Sequence, residues 1–244
     1  MRPRTVAAAQ EYWDRYYGEE FIAGLGTEDI LAVLGRVPSR RTWLDLGAGS
    51  ESLLWSIPLQ AEHLVAVDLD PRRLAILRSY VAAEQPRAAY RTVLELSDRT
   101  QADFTTRCRS LAATLAADCL SGTTLPFAPA GVDLVTQFGL LGLATNPDQF
   151  LACWKHAHAP LATGGWCAGA NWNAGAPGQN RVQLTQKLYT EAFAASGMAL
   201  SLITRVSFTG DADFDSVWIY LRRDRKSTRL NSSHSSPSRM PSSA

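Results

Sequence analysis

"WLDLGAGS" (43–50) and "VAVDLD" (65–70) decide how this chain reads. The first is an apolar run of strand composition that breaks at Gly47 and Gly49. The second is an apolar run that ends on Asp68, 21 positions after Gly47. Glycines at a strand end let the backbone approach a ligand closely. A carboxylate at the end of the next strand suits the paired ribose hydroxyls of a nucleoside. Asp45 lies two residues before Gly47, where it would repel a pyrophosphate and suit a ligand bearing an ammonium group.

Outward from this pair, short apolar runs alternate with helical patterns. "RTWLDLG" (41–47), "HLVAVDLD" (63–70), "VDLVTQF" (132–138) and "GGWCAGANW" (164–172) read as strands. Asp70 is placed to cap a helix with Pro71 at its first position, and Leu74, Leu77 and Val81 share one face of it. Residues 146–160 and 183–197 read as helices, the second stopped by Gly197. "ALSLITRVSF" (199–208) and "FDSVWIYLRR" (214–223) close the chain as adjacent strands. Within 85–118, "YRTVLEL" has strand-like composition. A helical insert followed by a strand at 112–117 is nevertheless expected. Residues 1–40 form a helical cap in which "TEDILAVLGRV" is a helix capped by Thr27. The expected fold is α/β: a doubly wound, mostly parallel seven-stranded sheet with an antiparallel edge pair. The domain spans 41–223.

Bulk properties narrow the function. With 244 residues and 46% hydrophobic content, the chain can build one substantial core. The net charge of +1 gives no support for a nucleic-acid or anionic-membrane partner. No apolar run reaches membrane-spanning length. Cys108, Cys119, Cys153 and Cys167 lack paired spacing and read as reduced, buried thiols of a cytoplasmic protein. In "CWKHAH" (153–158), His156 and His158 would point about 200° apart on a helix, so no metal site is expected. Residues 224–244 are rich in Ser, Arg and Pro and read as a disordered tail. That segment also resembles translated sequencing adapter and is set aside from the fold. It holds four of the 24 basic and one of the 23 acidic residues, so the rest carries a net charge of −2.

Two ligand classes fit the glycine turn, a dinucleotide and S-adenosylmethionine. A dinucleotide fingerprint wants a third glycine where Ser52 stands. Asp45 also disfavours it. The layout resembles class I S-adenosylmethionine-dependent methyltransferases. Within them it is similar to the nicotinamide, phenylethanolamine and indolethylamine N-methyltransferases. The resemblance rests on "YWDRYY" (12–17), "LDLGAGS" (44–50), "AVDLDPRRL" (66–74), "LAADCL" (115–120), "GVDLVTQFGLLGLA" (131–144) and "LATGGWCAGANW" (161–172), and spans nearly all of 12–222. It implies that Gly47, Ala48 and Gly49 line the methionine part of the cofactor. Asp68 would hold the ribose and Leu69 would lie beside the adenine. Asp118 and the Cys119 backbone would meet the adenine edge. Tyr12, Tyr16 and Tyr17 match the family's tyrosines that cover cofactor and acceptor. Arg73 and Phe138 complete the expected cofactor set; Tyr16, Asn171 and Trp172 are the expected acceptor contacts.

The chain departs from that family at several points. Leu53 replaces a tyrosine, Arg73 an asparagine, and Asn171 stands where an aspartate can sit; near Gly142 an acidic residue gives way to apolar neighbours. A neutral acceptor, such as a heteroaromatic nitrogen or a thioether, therefore fits at least as well as a cationic amine. The expected function is methyl transfer to a small-molecule acceptor, most simply at nitrogen, by a monomer. No catalytic residue is assigned. The alternatives are an NAD(P)-dependent oxidoreductase and a non-catalytic binding protein of the same fold.

Overall fold

A computed structural model describes residues 5–121, 125–127, 130–174, 180–197 and 201–223. The segment 224–244 and the opening of the 199–208 stretch lie outside them. Among the described residues seven strands form one sheet: β1 (Arg40–Leu46), β2 (Ala61–Asp68), β3 (Leu111–Ala116), β4 (Val132–Phe138), β5 (Leu161–Ala174), β6 (Leu202–Ser207) and β7 (Phe214–Arg223). Their spatial order is β3-β2-β1-β4-β5-β7-β6. The first five run parallel, while β7 is antiparallel to both β5 and β6. The expected sheet and its antiparallel edge pair are therefore both present.

The central strands carry apolar residues on both faces, as a sheet covered on both sides requires. Trp43, Leu44 and Leu46 of β1 and Leu134 and Val135 of β4 are fully buried. β5 begins earlier than the glycine pair suggests. Leu161 pairs with Val132 and Trp166 with Leu134, so residues 162–165 bulge between two pairings of one strand.

Helix α1 spans Val6–Tyr17, and Thr5 caps it by accepting from the Ala8 N–H at 3.1 Å. Helix α2 (Thr27–Leu34) differs from expectation at its start: its N-cap is Gly26, and Thr27 is the first helical residue. The reason is steric. Gly26 has φ +84°, and a Cβ there would collide with the Val217 side chain of β7. Helix α3 is the single turn Ser52–Ser56. Helix α4 (Pro71–Ala83) starts as expected, with the Asp70 carboxylate accepting from the Arg72 N–H and Leu74 and Leu77 buried. The insert consists of α5 (Ala88–Leu96) and α6 (Gln101–Arg109). Tyr90, Val93 and Leu94 recur at helical spacing, so a β-rich composition still buries one helix face. Helices α7 (Pro147–His158) and α8 (Gln186–Ala195) cover the other end of the sheet; Thr185 caps α8.

The N-terminal helix is fastened to the insert by its aromatic residues. Trp13 is buried, with its ring centroid 4.8 Å from that of Tyr80 and its indole N–H donating to the Tyr90 hydroxyl at 3.3 Å. Arg87 lies over the same indole at 4.5 Å and also pairs with Asp14. Ala9 and Trp13 belong to the same buried cluster as residues of β1, β2 and α4.

Candidate functional site

In an open α/β sheet, ligands bind beyond the carboxyl ends of the strands, where the strand order reverses. Here that place lies between β1 and β4. The turn after β1 meets the turn after β4 directly. Gly47 has φ +66°, and a Cβ on it would press on Leu140 at 2.9 Å. Gly49 has φ +57°, and a Cβ there would collide with the Glu51 carboxylate. Both positions demand glycine. Ala48, between them, is buried and donates its N–H to the Val67 carbonyl at 2.9 Å.

Asp68 ends β2 and closes this turn. Its carboxylate accepts from the Gly49 N–H at 2.9 Å and from the Asp70 N–H at 2.7 Å. Leu69 beside it is 38% exposed, which leaves an apolar side chain facing solvent at the strand end. Beyond β3, Asp118 accepts from the Leu120 N–H at 2.9 Å. The Gly47 backbone lies against the sulfur of Cys119. Burial pushes that thiol up to about 12, so it stays a neutral thiol. The turns after β1, β2, β3 and β4 thus converge, and they carry the residues expected to hold the nucleoside.

Asp45 is placed differently from its expected role. It is buried at 1% exposure. One oxygen accepts from the Thr136 hydroxyl at 2.6 Å and the other from the Ser52 hydroxyl. Trp43 extends the chain by donating to Thr136 at 2.6 Å. Burial lifts the Asp45 carboxyl to about 7, against the lowering effect of these two hydroxyls. Both of its oxygens are engaged inside the fold, where they join β1, β4 and α3. Ser52, standing where a dinucleotide turn wants glycine, is what binds Asp45.

The covering aromatic residues divide between two tasks. Tyr12 and Tyr16 lie 4.9 Å apart by ring centroid on one face of α1. The Arg73 guanidinium sits over the Tyr12 ring at 4.8 Å, linking α1 to α4 beside Asp68. Tyr17 presents its ring edge-on to Trp55 at 6.5 Å, and Trp55 stacks on Phe138 at 4.4 Å. Trp172 lies against Gly139, next to Phe138. Asn171, expected to face an acceptor, is fully buried and spent on the fold. Its carbonyl oxygen accepts from the Gly142 N–H at 2.9 Å, and its amide donates to the Tyr189 hydroxyl at 2.9 Å.

Two residues of the site escape a reading by motif. Trp55 is 1% exposed, and its indole N–H has no hydrogen-bond partner among the described residues. Glu51 is 8% exposed and folds its carboxylate back over Gly49, where one oxygen accepts from the Ser50 N–H at 2.7 Å. Burial lifts its carboxyl to about 7, with Arg73 pulling the other way. The one available signal was a charged residue inside an otherwise small and uncharged glycine turn.

No protein-family model matches this sequence, and no curated protein does. Solved structures do. A methyltransferase of Bacillus halodurans described as putative superposes with a TM-score of 0.56 at 10% identity, over 82% of this chain and 99% of that one. The N-methyltransferase NodS of Bradyrhizobium japonicum, solved with S-adenosyl-L-homocysteine, gives 0.51 at 15% identity, over 80% and 84%. The methyltransferase partner of the Trm112 activator in Haloferax volcanii, also described as putative, appears in a complex that matches with 0.56 at 15% identity, over 92% and 99%. At these identities the likeness is one of fold: the chain has the Rossmann-like fold of S-adenosylmethionine-dependent methyltransferases.

Proposed function

We propose that the protein is an S-adenosylmethionine-dependent methyltransferase that acts on a small, flat acceptor, most simply at nitrogen. The carrying observation is the Asp68 carboxylate bonded to the Gly49 N–H at the β1/β4 reversal. A fixed, ionisable acceptor at the nucleoside end and a glycine turn with no room for side chains suit the cofactor's two halves. Asp68, Leu69, Asp118 and the Cys119 backbone would hold the nucleoside. Gly47–Gly49 would pass beneath the amino-acid part. The orphaned Trp55 N–H, buried beside Phe138, is the kind of unsatisfied donor that a polar ligand completes.

The cofactor supplies an already activated methyl group. The protein's work is therefore to position and to exclude water. Tyr12, Tyr16 and Tyr17 on α1 would cover the site, while Phe138 and Trp172 supply an apolar wall for a flat acceptor. No residue of this wall is acidic, which favours a heteroaromatic nitrogen or thioether over a protonated amine. An amine acceptor would have to arrive unprotonated. Ser52 supports this reading over a nicotinamide dinucleotide, because its hydroxyl occupies the place where close helix–strand packing needs glycine. The covered site and balanced charge also support a small molecule over a macromolecule. We take the chain to be a monomer. Its four buried free thiols support a reducing, cytoplasmic setting.

The test is thermal shift and turnover with S-adenosylmethionine across pyridines, arylalkylamines, indoles and thioethers. A melting shift with the cofactor or its demethylated product, plus methylation of one acceptor class, is the expected result. Failure of both cofactor forms to shift a folded sample, with a shift by NAD, would reverse it.

A further inference from the structure

Three carboxylates surround the glycine turn, and they are not equally free. Both oxygens of Asp45 are held by hydroxyls of the fold. Both oxygens of Asp68 accept from backbone N–H groups. Glu51 is hydrogen-bonded through one oxygen, which accepts from the Ser50 N–H, and it also feels the charge of Arg73. Its carboxylate occupies the concavity that the missing Cβ of Gly49 creates. A mostly buried carboxylate seated against the glycine turn is placed to receive a cationic group of a ligand lying on that turn.

Resting on the methyltransferase reading, the geometry points to Glu51 as the residue that receives the ammonium group of the cofactor's amino-acid end. Asp45, the residue that the sequence pattern nominates, is 1% exposed beneath the turn. Asp68 also accepts through both oxygens, but it ends β2 at 8% exposure and keeps lone pairs for a ribose. Glu51 adjoins the tyrosines assigned to the cofactor: its charge is felt at Tyr12 and Tyr17. This side chain distinguishes ligands by their amino-acid end, because a nucleoside lacking that end has no group to place on it.

The groups facing Glu51 are Asp45 of β1, Asp68 of β2, Arg73 of α4, Tyr12 and Tyr17 of α1, and Tyr90 of α5. With its carboxyl lifted to about 7, Glu51 gains charge as pH rises from 5.5 to 7.5. Binding of an ammonium-bearing ligand tightens over that interval.

Titration calorimetry on the full chain tests this with two ligands, S-adenosylhomocysteine and 5′-methylthioadenosine, which lacks the amino-acid end. Glu51→Gln is expected to weaken S-adenosylhomocysteine by about 10- to 100-fold at pH 7.5, the range for a lost charged hydrogen bond. It is expected to leave 5′-methylthioadenosine within about twofold, and to remove most of the pH dependence. A second arm needs no variant: on the wild-type chain, S-adenosylhomocysteine without its α-amino group binds more weakly and without the pH response. Equal or tighter binding of S-adenosylhomocysteine by the variant overturns the inference, as does equal weakening of both ligands. If the wild-type chain binds neither ligand, the methyltransferase reading falls with it.

Discussion

The Gly49 N–H donates to the Asp68 carboxylate at 2.9 Å, so one side chain at the end of β2 fixes the turn at the end of β1. The same carboxylate holds the Asp70 N–H. Asp68→Ala removes the acceptor of two buried donors and is expected to cost about 2–4 kcal/mol. Asp68→Asn keeps the volume and one acceptor oxygen, so its loss is smaller. Both variants are expected to weaken 5′-methylthioadenosine binding by at least about tenfold. Urea unfolding and calorimetry separate the two effects.

Trp13 and Tyr17 are four residues apart on α1 and do different work. Trp13 is 5% exposed, among Tyr80, Tyr90 and Arg87. Trp13→Ala is expected to cost about 3–5 kcal/mol of stability. Tyr17 is half-buried and touches Trp55 at the ring edge. Tyr17→Ala is expected to cost about 1 kcal/mol and to weaken cofactor binding by tenfold or more. Equal losses of folding and binding at Tyr17 would assign it to the core.

Much of this architecture was legible because each strand's apolar run and each helix's capping residue act locally. Asp70 and Pro71 announce α4 without help from the rest of the chain. The fold-level reading of the glycine turn drew on Gly47 and Gly49 together with Asp45, Asp68 and the two closing strands. What escaped were matters of partnership. Thr27 looks like a cap, yet Val217, 190 residues away, requires glycine at Gly26 and so moves the cap there. Asp45 looks like a ligand contact, and Thr136 of a different strand engages it. Asn171 looks like an acceptor contact, and Gly142 and Tyr189 occupy it. A sequence shows which residues can form hydrogen bonds, while only the packed sheet decides which bonds they have already made.

That accounting makes Asn171 a stability residue. Asn171→Ala strands the Gly142 N–H and the Tyr189 hydroxyl in a buried region. The expected cost is about 2–4 kcal/mol. A melting scan shows it, and binding of 5′-methylthioadenosine to the folded fraction is expected to stay within about twofold.

Glu51 predicts a pH-dependent stability of definite sign. Its ordinary value is 4.5, and the fold raises it to about 7. Between these values the folded chain keeps a proton that the unfolded chain releases, so stability falls as pH rises through this window and levels off above it. Glu51→Gln removes that loss. The variant is expected to gain on the order of 2–3 kcal/mol over the wild type at pH 8 and almost nothing at pH 4.5. Asp45, also raised by burial, slopes the same way, and the difference between the two curves reports Glu51 together with its coupling to Asp45. A gain independent of pH would attribute the effect to packing.

β7 lies inside the sheet, between β5 and β6, although among the described residues it is the last strand in chain order. During synthesis, β5 therefore waits with an unsatisfied edge until residues 214–223 have left the ribosome. Val217 of β7 also supports the start of α2, near the beginning of the chain. The molecule closes like a belt whose buckle is made last. A chain ended before Phe214 would leave that flank of β5 unpaired, a ready template for pairing with another copy.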